Sequence, residues 1–304
     1  MIVAIFPGQG SQKAGMGRDL AEQFSAASAV FDRVSKATGQ DARRICWHLS
    51  EDELRQTENA QLALFTAGVA AYEALVSEGI EADVFAGHSV GEYAALVAAG
   101  ILTVEDGAKL VRHRGLVMAD AGRKQPGTMA AIVGLEREVL ESICSSTFGI
   151  VAVANDNCPG QLVISGEIAA VESAGALAKE AGAKLVVRLN VSGAFHSPLM
   201  EEPAKSMRPV LDRATFSSAG TVVSNVTARV VEDPFEWPQL LEEQLRKPVR
   251  WTESMQTVLA MDDASFVECG GGDVLSKLMK RIDKTAPTAQ IQDSESLGRF
   301  VEEN

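Results

Sequence analysis

The sequence has 304 residues, of which 46% are hydrophobic and 23% are charged, so it has the composition of a folded protein with room for one large domain or two. Its formal net charge of -13 argues against nucleic acid as the principal partner. Met1 is followed at once by an apolar run without a basic segment, and no apolar stretch comes near the roughly 18 residues that span a bilayer. We therefore expect a cytoplasmic protein without a membrane span.

The first part of the chain alternates short apolar strands with helices. Ile2–Phe6 is a β-branched strand that ends at Pro7-Gly8, and the periodicity predicts helices over 16–37 and 60–77. A short buried strand at 83–86 then runs into a glycine-flanked turn and a helix of small residues. This alternation is typical of an α/β fold with a parallel sheet.

The pattern changes after residue 127. The sequence there predicts six elements in the order βαββαβ, which is typical of a ferredoxin-like unit, over 129–133, 136–146, 150–153, 161–164, 169–181 and 184–191. After His196 the alternation of helix and strand resumes through 222–224 and 265–268. We therefore expect a large subdomain, 1–126 and 195–304, with a ferredoxin-like small subdomain inserted at 127–194.

The turn after the strand at 83–86 has the spacing of a nucleophile elbow. In Gly87-x-Ser89-x-Gly91 the glycines permit a tight turn from strand to helix, which presents the serine hydroxyl above the sheet. An ordinary glycine turn would have the same letters, but the strand before it and the helix after it favour an α/β-hydrolase-like core with Ser89 as nucleophile. The N-terminus of the helix also offers backbone N–H groups to an oxyanion.

A serine nucleophile needs a base, and the sequence has four histidines. His48 and His113 have no comparable setting, and the side chain of His88 should diverge from its neighbour on a sharp turn. His196 lies in a loop of small residues just after a strand, and we favour it as the base over a structural histidine because Ser89 is present.

The glycine-rich loop after the first strand does not fit a phosphate-binding motif, because Lys13 and Met16 stand where such motifs need glycine and lysine. A backbone N–H at Gln9 that helps to hold an oxyanion explains the loop about as well as a plain turn does.

Four ordered segments together resemble the malonyl-CoA:acyl carrier protein transacylases, a family of bacterial type II fatty acid synthesis, over nearly the whole chain. They are Phe6-Pro7-Gly8-Gln9-Gly10-Ser11-Gln12, Gly87-His88-Ser89-Val90-Gly91-Glu92-Tyr93, Arg112-His113-Arg114-Gly115 and Gly193-Ala194-Phe195-His196-Ser197. Acyltransferase domains of polyketide synthases (PKS) share most of these segments.

This resemblance implies a role for each residue of the site. Ser89 would be the nucleophile and His196 the base of a Ser-His dyad, with the backbone N–H groups of Gln9 and Val90 as the oxyanion hole. Arg114 would pair with the carboxylate of malonate, which a planar guanidinium can hold through two parallel bonds. The backbone carbonyl of Gln244 would orient the histidine.

The resemblance also implies ping-pong transfer of malonyl from coenzyme A to the phosphopantetheine thiol of an acidic carrier protein, by a monomer without a bound cofactor or metal. Because the chain is acidic too, docking needs a local basic surface. The candidates are Lys277, Lys280 and Arg281 on one helix face, and Lys184 and Arg188 in the small subdomain.

Three alternatives remain open. A stand-alone PKS acyltransferase would use the same residues on a different carrier. A serine thioesterase or esterase would use the same elbow, although Arg114 and the loop around His196 argue against it. A carrier-binding module without activity would not need both Ser89 and His196. The four cysteines, scattered without a Cys-x-x-Cys pair, indicate small buried residues and not a zinc or disulfide framework.

Overall fold

A computed structural model describes all 304 residues, and its ten strands form two five-stranded sheets. The strands are β1 Ile2–Phe6, β2 Val84–Gly87, β3 Gly127–Val133, β4 Val151–Cys158, β5 Gln161–Glu167, β6 Leu185–Arg188, β7 Thr221–Val223, β8 Val249–Arg250, β9 Ser265–Cys269 and β10 Thr288–Ile291.

Helices cover both sheets and make up half of the chain. They are α1 Arg18–Gln23, α2 Ser25–Thr38, α3 Ala42–His48, α4 Glu51–Arg55, α5 Thr57–Ser77, α6 Gly91–Ala98, α7 Val104–Lys124, α8 Arg137–Ser146, α9 Ile168–Glu180, α10 Glu201–Leu211, α11 Trp237–Gln244, α12 Trp251–Leu259, α13 Val274–Ile282 and α14 Ser294–Glu303. Two short 3-10 turns lie at Pro198–Met200 and Pro234–Glu236.

The first sheet has the strand order β10-β9-β1-β2-β7, and every pair in it is parallel. The α/β fold with a parallel sheet, predicted from the alternation of elements, is thereby confirmed. Phe6 pairs with Gly87, so the carboxyl ends of β1 and β2 lie side by side. The loops that follow these two strands therefore meet at one edge of the sheet, where ligands bind in open α/β folds.

The second sheet has the order β6-β3-β5-β4-β8 and is antiparallel except for the pair β4 and β8. Between residues 127 and 188 the elements follow one another as β3, α8, β4, β5, α9 and β6. Strand β8 comes from a later part of the chain, so it ties this sheet to the elements around the first one.

Helix α5 corrects one expectation from the sequence. By length and composition Thr57–Ser77 is apolar enough to cross a membrane, although the sequence analysis found no such stretch. In the fold, however, 83% of the most apolar stretch of this helix is buried inside the protein, against helices α2, α6 and α7. A helix that is apolar on all sides is what the centre of a large core requires.

Several predicted elements differ in extent from the observed ones, and β4 and β5 continue to Cys158 and Glu167, beyond the predicted ends at 153 and 164. The helix predicted over 16–37 is interrupted at Phe24, which has extended dihedral angles and separates α1 from α2. The strand predicted over 184–191 is only Leu185–Arg188, because β6 lies at the edge of its sheet and pairs with β3 alone. All four cysteines are buried and unpaired, as predicted.

Candidate active site

Ser89 lies on a tight turn between β2 and α6, with a φ angle of 54°. The turn brings α6 against the end of β1 so closely that a Cβ atom on Gly91 would lie 2.1 Å from the carbonyl oxygen of Phe6. A Cβ atom on Gly87 would lie 2.0 Å from the backbone of Gly91. Neither position has room for a side chain, so the two glycines permit the turn that presents Ser89.

His196 contacts Ser89 although 107 residues separate them in the sequence. Its Nε2 atom lies 2.8 Å from Ser89 Oγ, and its Nδ1 atom lies 2.7 Å from the backbone oxygen of Gln244. A carbonyl oxygen only accepts, so Nδ1 carries the proton of the neutral ring. Nε2 is then an acceptor, to which the hydroxyl of Ser89 donates.

Burial keeps His196 neutral. The side chain is 4% exposed, and desolvation, together with the nearby charge of Arg114, lowers its pKa to about 3. The imidazole is therefore unprotonated across the physiological pH range. In that state it can accept a proton from a serine hydroxyl.

Arg114 lies on α7 with its guanidinium enclosed beside Ser89. Its Nη1 donates to Gln61 Oε1 at 2.8 Å, and its Nη2 donates to Gln244 Oε1 at 2.9 Å and to Ser89 Oγ at 3.0 Å. No carboxylate pairs with this guanidinium, and its buried Nε has no partner. Burial lowers the pKa of Arg114, although Tyr93, whose ring centre lies 5.7 Å away, offsets part of that effect. A buried cation held by neutral groups can accept an anionic ligand.

The backbone N–H groups of Gln9 and Val90 donate to no group of the protein. Gln9 follows Gly8, where a Cβ atom would lie 2.8 Å from the backbone oxygen of His88, so this loop rests on the turn that carries Ser89. Val90 directly precedes α6. The two donors remain available to a ligand at the serine.

The structure adds three buried polar residues that the sequence analysis missed. Asn225 follows β7, where its Oδ1 accepts from the backbone N–H of Ser89 at 2.8 Å and its Nδ2 donates to Gly87 O at 2.6 Å. Glu92 and Gln61 are 0% and 1% exposed. Each has a signal in the sequence: Asn225 follows an apolar strand, Glu92 is the charged residue of the apolar helix α6, and Gln61 directly precedes the apolar run of α5.

The other histidines lie in different surroundings. His88 Nε2 is 2.9 Å from Asn157 Oδ1, and its ring packs against Trp251, while burial lowers its pKa. His113 lies 3.2 Å from the backbone oxygen of Ser206, on the outer side of α7. No cluster of three or more His, Cys, Asp or Glu side chains is arranged to hold a metal ion.

The basic candidates for docking fall into two groups. Near α13, Lys277 pairs with Asp273 at 2.8 Å and Arg281 donates to Gln161, whereas Lys280 has no ion pair. Near β6, Arg188 lies 3.6 Å from Glu172, and Lys184 has no ion pair. Both free lysines are exposed.

A family model described as the acyl transferase domain matches residues 3–303. The chain belongs to this family. A relative from Bacillus subtilis (strain 168), named malonyl CoA-acyl carrier protein transacylase, is 42% identical over 97% of the chain and 95% of its own length.

Two solved structures share the acyl transferase fold of this chain. A structure of MCAT from Streptococcus pneumoniae superposes with a TM-score of 0.96 at 38% identity, over 100% of both chains. A second structure, a type II PKS acyl-carrier protein in complex with its malonyl-transacylase, gives a TM-score of 0.95 at 37% identity, over 100% of this chain and 99% of that one.

Proposed function

We propose that this protein transfers a malonyl group from coenzyme A to an acyl carrier protein through an acyl-enzyme at Ser89. The observation that carries the proposal is the buried guanidinium of Arg114, which has no carboxylate partner and lies 3.0 Å from Ser89 Oγ. An acyl group that ends in its own carboxylate supplies the missing anion. The short distance favours a short acyl group such as malonyl.

In the first half of the reaction, Arg114 binds the carboxylate of malonyl-CoA and orients the thioester against Ser89. The Ser89 proton moves to His196 Nε2 as Oγ attacks the thioester carbon, and Gln244 O stabilises the ring through Nδ1–H. The backbone N–H groups of Gln9 and Val90 donate to the tetrahedral oxyanion. The carbon–sulfur bond then breaks, and His196 returns the proton to the coenzyme A thiolate.

In the second half, the phosphopantetheine thiol of the carrier protein gives its proton to His196 and attacks the malonyl ester. The bond to Ser89 Oγ breaks, and the serine regains the proton from His196. The reaction is therefore ping-pong, and it needs neither a bound cofactor nor a metal ion.

We assign the chemistry to an α/β-hydrolase-like subdomain, residues 1–126 and 195–304, and treat 127–194 as a ferredoxin-like small subdomain. The element order between 127 and 188 supports this division. We further propose a soluble, cytoplasmic monomer that acts on neither nucleic acid nor membranes.

We propose that the carrier docks at the basic residues of α13. The glycine turn before this helix contacts the loop of Gln9, since a Cβ atom on Gly271 would lie 3.4 Å from Ser11 O. Lys280 therefore lies on an element that adjoins the site, whereas Lys184 is next to Gly134 in the second sheet. An acidic carrier would be steered toward such a basic surface.

The carrier of fatty acid synthesis is the partner we favour, because the curated relative from Bacillus subtilis is named for an acyl carrier protein without further qualification. The solved complex with a type II PKS carrier supports that carrier as a second candidate. Rates of transfer to purified holo-carriers of both kinds would rank the two.

The experiment that tests the proposal follows the fate of the acyl group. The protein is loaded with radiolabelled malonyl-CoA, freed of excess substrate, and divided between buffer and holo-carrier. We expect label that persists in buffer and moves to the carrier within seconds. Rapid release as free malonate would indicate a hydrolase, and no loading at all would indicate a binding module.

A further inference from the structure

The site contains a second buried ionisable group, the carboxyl group of Glu92, which the mechanism above does not use. Glu92 lies in the first turn of α6 and is 0% exposed. No lysine or arginine forms an ion pair with it. Because an unpaired buried carboxylate is unfavourable, its hydrogen-bond partners indicate what it does there.

The two oxygens of Glu92 bind two different parts of the site. Oε1 accepts from the backbone N–H of Asn225 at 2.7 Å, and Oε2 accepts from the side-chain amide of Gln244. Asn225 in turn accepts from the N–H of Ser89 and donates to Gly87. One carboxylate thus supports the turn of the nucleophile through one oxygen and Gln244 through the other.

Gln244 relays this contact to Arg114. Its amide nitrogen donates to Glu92 Oε2 and, at 2.9 Å, to Ser89 O, which leaves its Oε1 to accept from Arg114 Nη2. Bonds to a charged acceptor fix the orientation of this amide, because a rotated amide would direct its oxygen at the carboxylate. The backbone oxygen of the same residue holds His196.

We propose that Glu92 is a positioning residue that determines the preference for an acyl group with a carboxylate, by orienting Gln244 and through it the guanidinium of Arg114. This inference rests on the proposed function. In this arrangement the side chain of Gln244 lies between the negative charge of Glu92 and the guanidinium of Arg114. A direct ion pair would compete with the substrate, whereas an amide relay holds the guanidinium and leaves it free to bind malonate.

The test uses Glu92→Gln, which keeps the shape of the side chain but directs an NH2 group at the amide of Gln244 or the N–H of Asn225. We measure kcat/KM of acylation with malonyl-CoA and with acetyl-CoA. The ratio of the two is expected to fall about 10-fold or more, the scale of losing one bond to a charged group. A loss of folded protein would lower both rates by the same factor and leave the ratio unchanged.

Glu268→Gln is the matched control. Glu268 is also 0% exposed, but its oxygens accept from Leu275 and Ser276 at the start of α13, away from Arg114. This variant should unfold at a lower temperature and keep the malonyl-to-acetyl ratio of the unmodified protein. The comparison separates the general effect of losing a buried carboxylate from the specific effect of losing that of Glu92.

Gln244→Met tests the same link from its other end and serves if Glu92→Gln does not fold. It removes both ends of the amide and leaves the backbone oxygen that faces His196. The malonyl-to-acetyl ratio should fall by a similar factor. In the double variant, Glu92→Gln with Gln244→Met, the ratio should fall no further than in either single variant, because both changes break one chain of contacts. An unchanged ratio in either single variant, or additive losses in the double variant, would overturn the proposal. Failure of the unmodified protein to take up malonyl would instead reject the proposed function.

Discussion

In the proposed mechanism, the preference for a malonyl group depends on Arg114. Its guanidinium holds Gln61, Gln244 and Ser89 through donors that point in fixed directions. A lysine keeps the charge but has neither the planar fork nor the reach to several partners at once. The geometry therefore matters in addition to the charge.

We expect Arg114→Lys to lower kcat/KM for malonyl-CoA about 100-fold or more, and that for acetyl-CoA much less, because only malonyl needs the guanidinium. Arg112→Lys, two residues earlier on α7, is the control, since its Nη1 donates to the backbone oxygen of Glu58. Steady-state acylation assays with both thioesters measure the effect. Equal losses for both substrates would contradict the role given to Arg114.

The pKa values of two buried groups predict an unusual pH profile. His196, with a pKa of about 3, stays neutral above pH 5, so its titration causes no fall in the acylation rate there. Burial raises the pKa of Glu92 to about 7, although Asn225, Gln244 and the charge of Arg114 oppose that effect. Besides Arg114, the titratable group facing Glu92 is the buried Tyr93, whose pKa burial raises above its usual range.

As the pH falls through about 7, Glu92 takes up a proton and one of its acceptor oxygens becomes a donor. We therefore expect kcat/KM for malonyl-CoA to fall on the acid side of pH 7, and this limb to be absent in Glu92→Gln. Stopped-flow acylation between pH 5 and 9 measures it. A limb near pH 7 that persists in Glu92→Gln would assign the titration to another group.

The crossing of α6 over β1 determines where Ser89 lies. Because a Cβ atom on Gly91 would lie 2.1 Å from the oxygen of Phe6, the helix can approach the strand only through glycine. Gly298 in α14 offers the comparison, since a Cβ atom there would meet nothing within 4 Å.

Gly91→Ala should lower the free energy of unfolding by about 1–3 kcal/mol or more and remove activity, because helix and strand must separate. Gly298→Ala should raise it by up to about 1 kcal/mol, since alanine favours the helix. Urea unfolding curves measure both changes. A Gly91→Ala protein with full stability and activity would contradict this, because it would show that the turn has room for a side chain at this position.

Strand and helix periodicity predicted most elements, because the pattern of apolar residues is local. It did not predict the break at Phe24, where no glycine or proline signals the end of a helix. The family resemblance assigned roles to Gln244 and Arg114, but none to Glu92, Asn225 or Gln61. The contacts of those three join residues up to 152 positions apart, and such contacts form only through the tertiary fold.

On the proposed function, a chain of net charge -13 meets a carrier that the family resemblance implies is itself acidic. Long-range repulsion then opposes encounter, and only a local basic surface can reverse it. The exposed Lys280 lies on α13, and the glycine turn before that helix contacts the loop of Gln9, whereas the exposed Lys184 lies by Gly134.

We expect Lys280→Glu to lower kcat/KM for the holo-carrier about 3- to 10-fold and to leave acylation by malonyl-CoA unchanged, since a charge at the rim acts on association. Lys184→Glu is the control and should change neither. Added salt should weaken the effect of Lys280→Glu. A larger loss from Lys184→Glu would move the docking surface to the second sheet.

We expect Ser89 to carry a malonyl group that Arg114 selects. Intact mass spectrometry after brief exposure to malonyl-CoA or acetyl-CoA, with the unmodified protein and Ser89→Ala, tests it most directly. The expected result is a malonyl adduct on the unmodified protein, little or no acetyl adduct, and no adduct on Ser89→Ala. An adduct that survives in Ser89→Ala, or acetyl taken up as readily as malonyl, would contradict it.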